Sequence, residues 1–508
     1  MSKPMTNLRF TIAICSSLTL PILTGCMVGP KYHATPAVAQ APPVSYKEQP
    51  PPTQETGVWS VAQPQDAMLR GKWWEIYNDP ELNALEDRLS IDNQNIKQFF
   101  ANFMEARTLI AQARSQLYPT ASVGPSYTRS KSSANLGMSS QANTGSTNSV
   151  GSLPLSVSWE PDLWGKVRST IHEEQYNAQL SAADLENEKL TEQASLATFF
   201  FEIRGQDALQ AILDDTVEAD KHALALTQAQ YDTGIGDRIS VVEAQNTLQN
   251  VQAQAINLGV ARAQYEHAIA LLVGANASTF SIPVKAASVT PPPIPVGLPS
   301  QLLERRPDIA ASERNMASAN AQIGIATAAY YPNLTLSASG GFESSTFKHL
   351  FDWPSRFWSI GPTVSETVFD AGLRRATVNQ FVEVYNADVA SYRQSVLTGF
   401  QQVEDSLASV RILSQQLIQQ QAAVISAEEF VTLETARYQT GIDPYVDVVT
   451  AQTTLLTDRQ SVASLRVQEM TASVQLIEAL GGGWDRSQLP TPAQVSQKLT
   501  KAETTIQR

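Results

Sequence analysis

Two stretches of this chain, Lys166 to Gln230 and Arg374 to Gln439, run without a proline and with one glycine apiece, Gly205 and Gly399. Ala, Leu, Gln and Glu dominate both, and all four are strong helix formers. About 65 residues at 1.5 Å per residue predicts roughly 100 Å of helix from each. Helices of that length do not fit a compact globule; they need partners along their length, as in a coiled coil. Shorter partner helices are predicted over 238–272 and 445–480, and further short helices over 89–117 and 307–329. The last two could stack end to end with their neighbours to match the long ones.

The two long stretches belong to an internal repeat. Tyr231-Asp-Thr-Gly234 recurs as Tyr438-Gln-Thr-Gly441, and Ala244-Gln245 as Ala451-Gln452, at an offset of about 207 residues. Tyr118-Pro119 recurs as Tyr331-Pro332 at an offset of about 213. Each half reads helix, strand, loop, strand, long helix, turn, helix. The first half is assigned to 65–290, a Pro-rich connector to 291–306, the second half to 307–484 and a tail to 485–508.

Period-two patterning marks two strands per half. Ala121, Val123, Pro125 and Tyr127 alternate with small polar residues over 120–130, as do Leu153, Leu155, Val157 and Trp159 over 152–162. Leu334, Leu336, Ala338 and Phe342 repeat the pattern, followed by Ile360, Val364 and Val368, with Glu366 a blemish on the apolar face. Segments of about ten residues with this alternation suit a barrel whose one face meets lipid and the other a wet lumen, although a soluble sandwich would alternate in the same way. Aromatics gather at the strand ends: Tyr118, Trp159 and Trp164 in one half, Tyr330, Tyr331, Trp358 and Phe369 in the other. The loop 131–150 is almost wholly Ser, Asn, Gly, Gln and Thr, whereas 344–357 carries Phe347, Phe351, Trp353 and Phe357. Four strands cannot close a barrel around a wide lumen. If they span a membrane, copies must combine, and three copies would give about twelve strands and a twelve-helix tube.

The N-terminus points to export. Lys3 and Arg9 precede an apolar run from Phe10 to Leu23, then Leu23-Thr24-Gly25-Cys26. The run is too short to span a bilayer as a helix and suits a signal peptide, 1–25, cleaved before a lipid-modified Cys26. The Pro-, Ala- and Gln-rich segment 26–64 reads as an extended, lipid-anchored tether. Of the two cysteines, Cys15 would leave with the signal peptide, so the mature chain would hold neither a free thiol nor a disulfide. The formal charge of −13 argues against nucleic-acid binding, and five scattered His give no metal-ligand spacing. Neither a nucleophile–base pair nor a phosphate loop is evident, so an enzyme is not expected and no cofactor is implied.

Several motifs carry a family resemblance. Leu298-Pro-Ser-Gln-Leu-Leu-Glu-Arg-Arg306-Pro307-Asp308-Ile309 lies between the repeats, and Cys26-Met-Val-Gly29-Pro30-Lys-Tyr32 opens the mature chain. With Trp73-Trp74, Trp159-Glu-Pro-Asp162-Leu-Trp164-Gly165 and the two Tyr-x-Thr-Gly turns, they cover nearly the whole mature sequence. The chain resembles the TolC-like outer-membrane efflux proteins, in the branch of lipid-anchored channels serving resistance-nodulation-division pumps. The resemblance implies a mainly α fold with a small β part: a homotrimer with a 12-stranded barrel in outer-membrane lipid and an antiparallel coiled-coil tunnel in the periplasm. It implies diacylglycerol and palmitate on Cys26, docking to a periplasmic adaptor and an inner-membrane pump, and export of small toxic compounds from a Gram-negative cell.

The Tyr-x-Thr-Gly turns would form the periplasmic tip. Gly234 and Gly441 supply left-handed caps to the long helices, and Asp443-Pro444 reads as N-cap and first-turn proline of the next helix. In the family this tip is the closed gate. Asp447 is the best match to a gate acid, with Val446 an apolar neighbour and Thr450 where some relatives carry a second acid. Tyr438 matches a tyrosine of the closing hydrogen bonds; Ser240 and Glu243 are the first-repeat equivalents of Asp447 and Thr450. Asp447 could equally serve as a first-turn acid favoured by the helix dipole. Two other readings stand beside efflux: a channel of the same fold devoted to protein secretion, and a periplasmic coiled-coil scaffold without a pore.

Overall fold

Both Pro-free stretches form single helices of 67 residues, α3 (Lys166–Asp232) and α6 (Leu373–Gln439). Each is paired with a following helix of 35 residues, α4 (Arg238–Leu272) and α7 (Tyr445–Ala479). Three shorter helices, α1 (Pro80–Asp92), α2 (Gln94–Ser115) and α5 (Pro307–Ala328), accompany them, with single helical turns at Leu302–Arg305 and Pro492–Val495. The computed structural model describes residues 27–37, 46–48, 71–133, 147–285, 290–294 and 302–497. The expected signal peptide, Cys26, most of the tether, most of the Ser- and Asn-rich loop, Leu298–Gln301 and the end of the tail lie outside them. Among the described residues no helix is long and apolar enough to cross a membrane.

The helix expected over 89–117 is in fact two. α1 starts earlier, where Asp79 caps the backbone N–H groups of Glu81 and Leu82 and Pro80 takes the first turn. The chain then breaks at Asn93, whose backbone is extended. Asn93 is buried; its side-chain oxygen caps Ile96 and its amide donates to the Leu272 carbonyl at 3.0 Å. Leu272 is the last residue of α4, so this bond joins the end of α4 to the start of α2. The second half of the chain solves the same problem with a different residue. Arg306, just before α5, donates to the carbonyl of Ala479, the last residue of α7, at 3.0 Å. Glycines allow both seams to close. A Cβ on Gly274 would lie 2.7 Å from the Asp92 carbonyl oxygen, and one on Gly481 2.0 Å from that of Arg305. The two short-helix stacks thus run beside the long helices, α4 with α2 along α3 and α7 with α5 along α6.

Apolar packing concentrates where these stacks meet. Trp73 and Trp74 pack with Leu196, Phe200, Phe201 and Ile477 in one buried cluster. Beside it, buried Arg204 donates to Asp207 and to the Pro283 carbonyl, and Arg262 reaches Asp207 at 2.7 Å. Pairing answers the cost of burying these charges. Further along, Gly205 lets α7 cross α3 closely: a Cβ there would lie 2.3 Å from Val467 Cγ2.

The strands form one antiparallel sheet at the far end of the long helices. Its order is β1 (Thr120–Val123) with β2 (Ser126–Lys131), then β3 (Thr147–Trp159), β4 (Asn333–Ser344) and β5 (Arg356–Ser365). β1 and β2 are one strand interrupted: Thr120 pairs with Ser158 and Ser126 with Ser152, in unbroken register across Gly124-Pro125. β3 starts earlier than expected and stops before Pro161; β5 starts earlier and stops at Ser365, so Glu366 and Val368 fall past it. The central pair, β3 with β4, joins the two halves of the chain, Leu153 facing Phe342 and Trp159 facing Leu336.

Candidate functional site

Register divides the sheet into two chemically distinct faces. Val123, Leu155, Gly340 and Trp358 share one side; Ala338 and Ile360, Leu334 and Val364 continue it. These side chains are exposed or half-exposed. The opposite side is built of Thr120, Ser122, Ser126, Ser156, Ser337 and Thr363 and their neighbours. Hydroxyl pairs bridge its strands, Ser126 with Ser152 at 2.8 Å and Ser339 with Ser359 at 2.9 Å. A wall that is oily on one side and hydroxylated on the other can separate hydrocarbon from a water-filled duct. Where the sheet meets the helices, Trp164 stacks on Tyr331 at 4.8 Å and donates to the Pro332 carbonyl. Trp159 donates to the Leu117 carbonyl at 3.0 Å. Trp358 sits at the other end of the sheet, beside the loop before β5.

The first described residues, 27–37, lie against that junction. Val28 donates to the Trp164 carbonyl, Gly29 crosses the backbone of Gly324, and Tyr32 donates to Glu313 at 2.5 Å. Lower down, the backbone N–H groups of Lys47 and Glu48 donate to Glu404, and Arg411 pairs with Glu48 at 2.6 Å. The tether is therefore laid along α5 and α6 at these points. Sequence reading gave no hint of these contacts, since short loop segments carry no period.

At the opposite end, two turns make the tip. Gly234 and Gly441 hold φ of 77° and 76°, the left-handed caps expected of them. Asp237 caps α4 by accepting the Ser240 N–H at 2.8 Å, which holds its carboxyl below the usual range. Asp443, expected as the matching cap, does not cap α7: Pro444 holds the cap position. Its carboxylate is drawn instead to Arg437, one turn back on α6, in a two-pronged ion pair. That hydrogen bond lowers the Asp443 carboxyl and raises the Arg437 guanidinium. The fold also gathers Glu434, Asp443 and Asp447, with carboxylate oxygens within 4.8 Å of one another. Arg437 stands among them.

Of the expected gate residues, Tyr438 bridges the repeats. Its hydroxyl donates to Gln230 on α3 at 2.6 Å, next to Ser240, and its ring leans on Tyr445 at 5.2 Å. Ala244 and Val448 complete that contact. Val446 is exposed, Asp447 and Glu243 are half-buried, and the Thr450 hydroxyl is spent on the Val446 carbonyl of its own helix. Ile235, Ile239 and Ile442 add an exposed apolar rim. Gln230, Arg437 and Glu434 were missed by sequence reading. For Arg437 a signal existed, its spacing of six from Asp443 across a glycine turn.

The family model described as outer membrane efflux protein matches residues 86–275 and 298–482. The solvent efflux pump outer membrane protein SrpC of Pseudomonas putida is 30% identical over 482 residues, covering 92% of this chain and 98% of SrpC. The outer membrane protein OprJ of Pseudomonas aeruginosa is 29% identical over 88% of this chain and 94% of its own. Among solved structures, a membrane protein from Pseudomonas aeruginosa superposes with a TM-score of 0.80 at 26% identity, covering 91% of this chain and 98% of that one. The Campylobacter jejuni CmeC outer membrane channel gives 0.82 at 21% identity, over 94% and 100%, a likeness of fold. Mostly helical, with one small sheet and matched in both halves by the same family model, this chain belongs to the outer membrane efflux protein family.

Proposed function

We propose that this chain is the passive exit duct of a tripartite efflux system, working as a homotrimer. The sheet carries the reading: an oily face, a hydroxylated face and two unpaired edges, continuous with helices of roughly 100 Å. Unpaired edges in hydrocarbon are costly, since lipid cannot satisfy backbone groups, and pairing β5 of one copy with β1 and β2 of the next removes them. Three copies make a 12-stranded barrel and a helical tunnel reaching into the periplasm. Relatives named for antibiotic, toluene and solvent efflux pumps support small toxic compounds as cargo and a pump as partner. That pump would be an inner-membrane one of the resistance-nodulation-division type, reached through a periplasmic adaptor. Lipid on Cys26 suits the position of its neighbour: Met27 packs on Gly165 at the sheet–helix junction, next to the Trp164–Tyr331 pair. The anchor would then enter the membrane where the barrel does.

The tip is read as the gate, with Asp447, Glu434 and Asp443 forming an acidic cluster in each copy around Arg437. Three such clusters near the axis would favour cations and repel anions. In planar bilayers, Asp447→Ala should raise single-channel conductance or reduce cation preference. Asp443→Ala, by freeing Arg437 beside the cluster, should reduce cation preference without a matching rise in conductance. Unchanged conductance and selectivity in Asp447→Ala would remove Asp447 from the pore.

A further inference from the structure

The oily face of the sheet changes character at the loop end. Tyr127 pairs with Gly151 on this face and Phe342 with Arg356, so Arg129 and Lys131, two and four residues on from Tyr127, continue it. Arg129, Lys131 and Arg356 are all exposed. The acids of the same end are turned elsewhere. Glu343 pairs with Ser152 on the hydroxylated face, and Asp352 sits 2.6 Å from His349 Nδ1. The loop 132–146 contains no charged residue. The other loop leans onto the oily face and not across the hydroxylated one. The Phe347 ring stacks on Tyr127 at 5.3 Å, and Phe351 meets Phe342 edge-on at 5.6 Å. Phe347, Trp353 and Trp358 nevertheless stay 70%, 76% and 79% exposed, with Lys348 beside them.

Open aromatic rings next to cations that have no ion-pair partner among the described residues, with Arg356 lying over the Trp353 ring, fit neither a hydrated loop nor a hydrocarbon core. They fit the headgroup level of a membrane, where rings sit at the interface and cations meet phosphates. We propose that this end of the oily face binds phosphorylated lipid of the outward leaflet, with Arg129, Lys131, Lys348 and Arg356 holding the phosphates and the exposed rings seated beneath them. The proposal rests on reading the sheet as one third of a closed barrel. In that closure β5 of one copy borders β1 and β2 of the next, which brings Arg356 to the seam where Arg129 and Lys131 stand. The cation set is then completed only between copies, once at each of three seams. The outward leaflet of a Gram-negative outer membrane is built mainly of lipid A, a diglucosamine with two phosphates. A divided set of cations suits two phosphates better than the single phosphate of a glycerophospholipid.

The test is retention of lipid by the detergent-purified full chain, read by native mass spectrometry. Probes are bis-phosphorylated lipid A, monophosphoryl lipid A and phosphatidylglycerol. The parent should retain them in that order. The variant Arg129→Gln/Lys131→Gln/Lys348→Gln/Arg356→Gln should retain the first at least ten-fold less. Should it not assemble, Lys131→Gln/Lys348→Gln serves instead, with a loss of at least three-fold. Equal retention by parent and variant, or no preference of the parent for lipid A over phosphatidylglycerol, overturns the proposal. A nitroxide on Ile360→Cys, in vesicles, separates this from failure of the barrel itself. A label accessible to oxygen but not to a water-soluble nickel chelate keeps the barrel, so that equal retention then sinks the lipid site alone. A water-accessible label sinks both.

Discussion

Among the described residues, Asp220 is an acid buried without an ion-pair partner. It lies on α3, 3% exposed, with one carboxylate oxygen lacking a hydrogen-bond donor. It lies beside the packed region where α3 meets α7, where Tyr445 feels its charge along with those of Tyr438 and Glu243. Burial pushes the carboxyl up from its ordinary 3.8 to about 6. Between those two values the folded chain holds a proton that the unfolded chain has released. Stability therefore falls as pH rises through this window, and above about pH 6 the full penalty is present. At 1.36 kcal/mol per unit this amounts to about 3 kcal/mol. Asp220→Asn should thus raise the thermal unfolding temperature at pH 7.5 and leave it nearly unchanged at pH 4. An equal shift at both would mean that packing, and not charge, governs the site.

At the scale of elements, the two helix seams are equivalent in role and different in chemistry. Asn93 serves the Leu272 carbonyl and caps α2, while Arg306 serves the Ala479 carbonyl and pairs with Asp308 at 2.6 Å. Removing either side chain orphans a buried carbonyl, which costs about 1–3 kcal/mol, and Asn93→Ala also forfeits a cap worth about 1 kcal/mol. Both variants should lower stability, and hydrogen exchange should speed up at the seam more than at the tip; protection lost evenly over the molecule would argue against local seams. These seams show where sequence reading ends. The long helices were legible to within two residues, because nothing in them interrupts the helix and glycine closes each one. The Asn93 break was not, although Asp92, Asn93 and Asn95 are residues that favour caps, because its anchor is a carbonyl some 180 residues away in the chain. Asp443 misled for a related reason. Asp-Pro is a good local start signal, but Arg437 offers its carboxylate a charged partner that the backbone cannot match. Alternation placed the strands but not their ends: β3 begins in a run of Thr, Asn and Ser without an apolar partner residue, and β5 stops at Ser365, short of Val368. The Tyr438–Gln230 bond depends on how two hairpins pack, which spacing does not encode.

For the whole molecule, the exposed surface of one copy is the argument for more. Leu397, Ile412, Ile418, Ile425 and Leu433 of α6 and Ile256 and Val260 of α4 lie open to solvent on long helices, and among the described residues the sheet has two free edges. Mass measurement of the detergent-extracted protein should accordingly find three copies, and a monomer that inserts stably into bilayers would refute the shared barrel. The pairing of β3 with β4 has a consequence in time. A chain crossing the inner membrane from its N-terminus delivers β1, β2 and β3 to the periplasm well before β4 exists there. For that interval the first repeat holds an apolar strand face and an open edge with no partner of its own, in a compartment without ATP. Its safe passage depends on whatever shields exported strands, and the sheet can be set only after the second repeat has arrived. The same family model matches both halves of this protein; the join between them makes the order of their arrival matter.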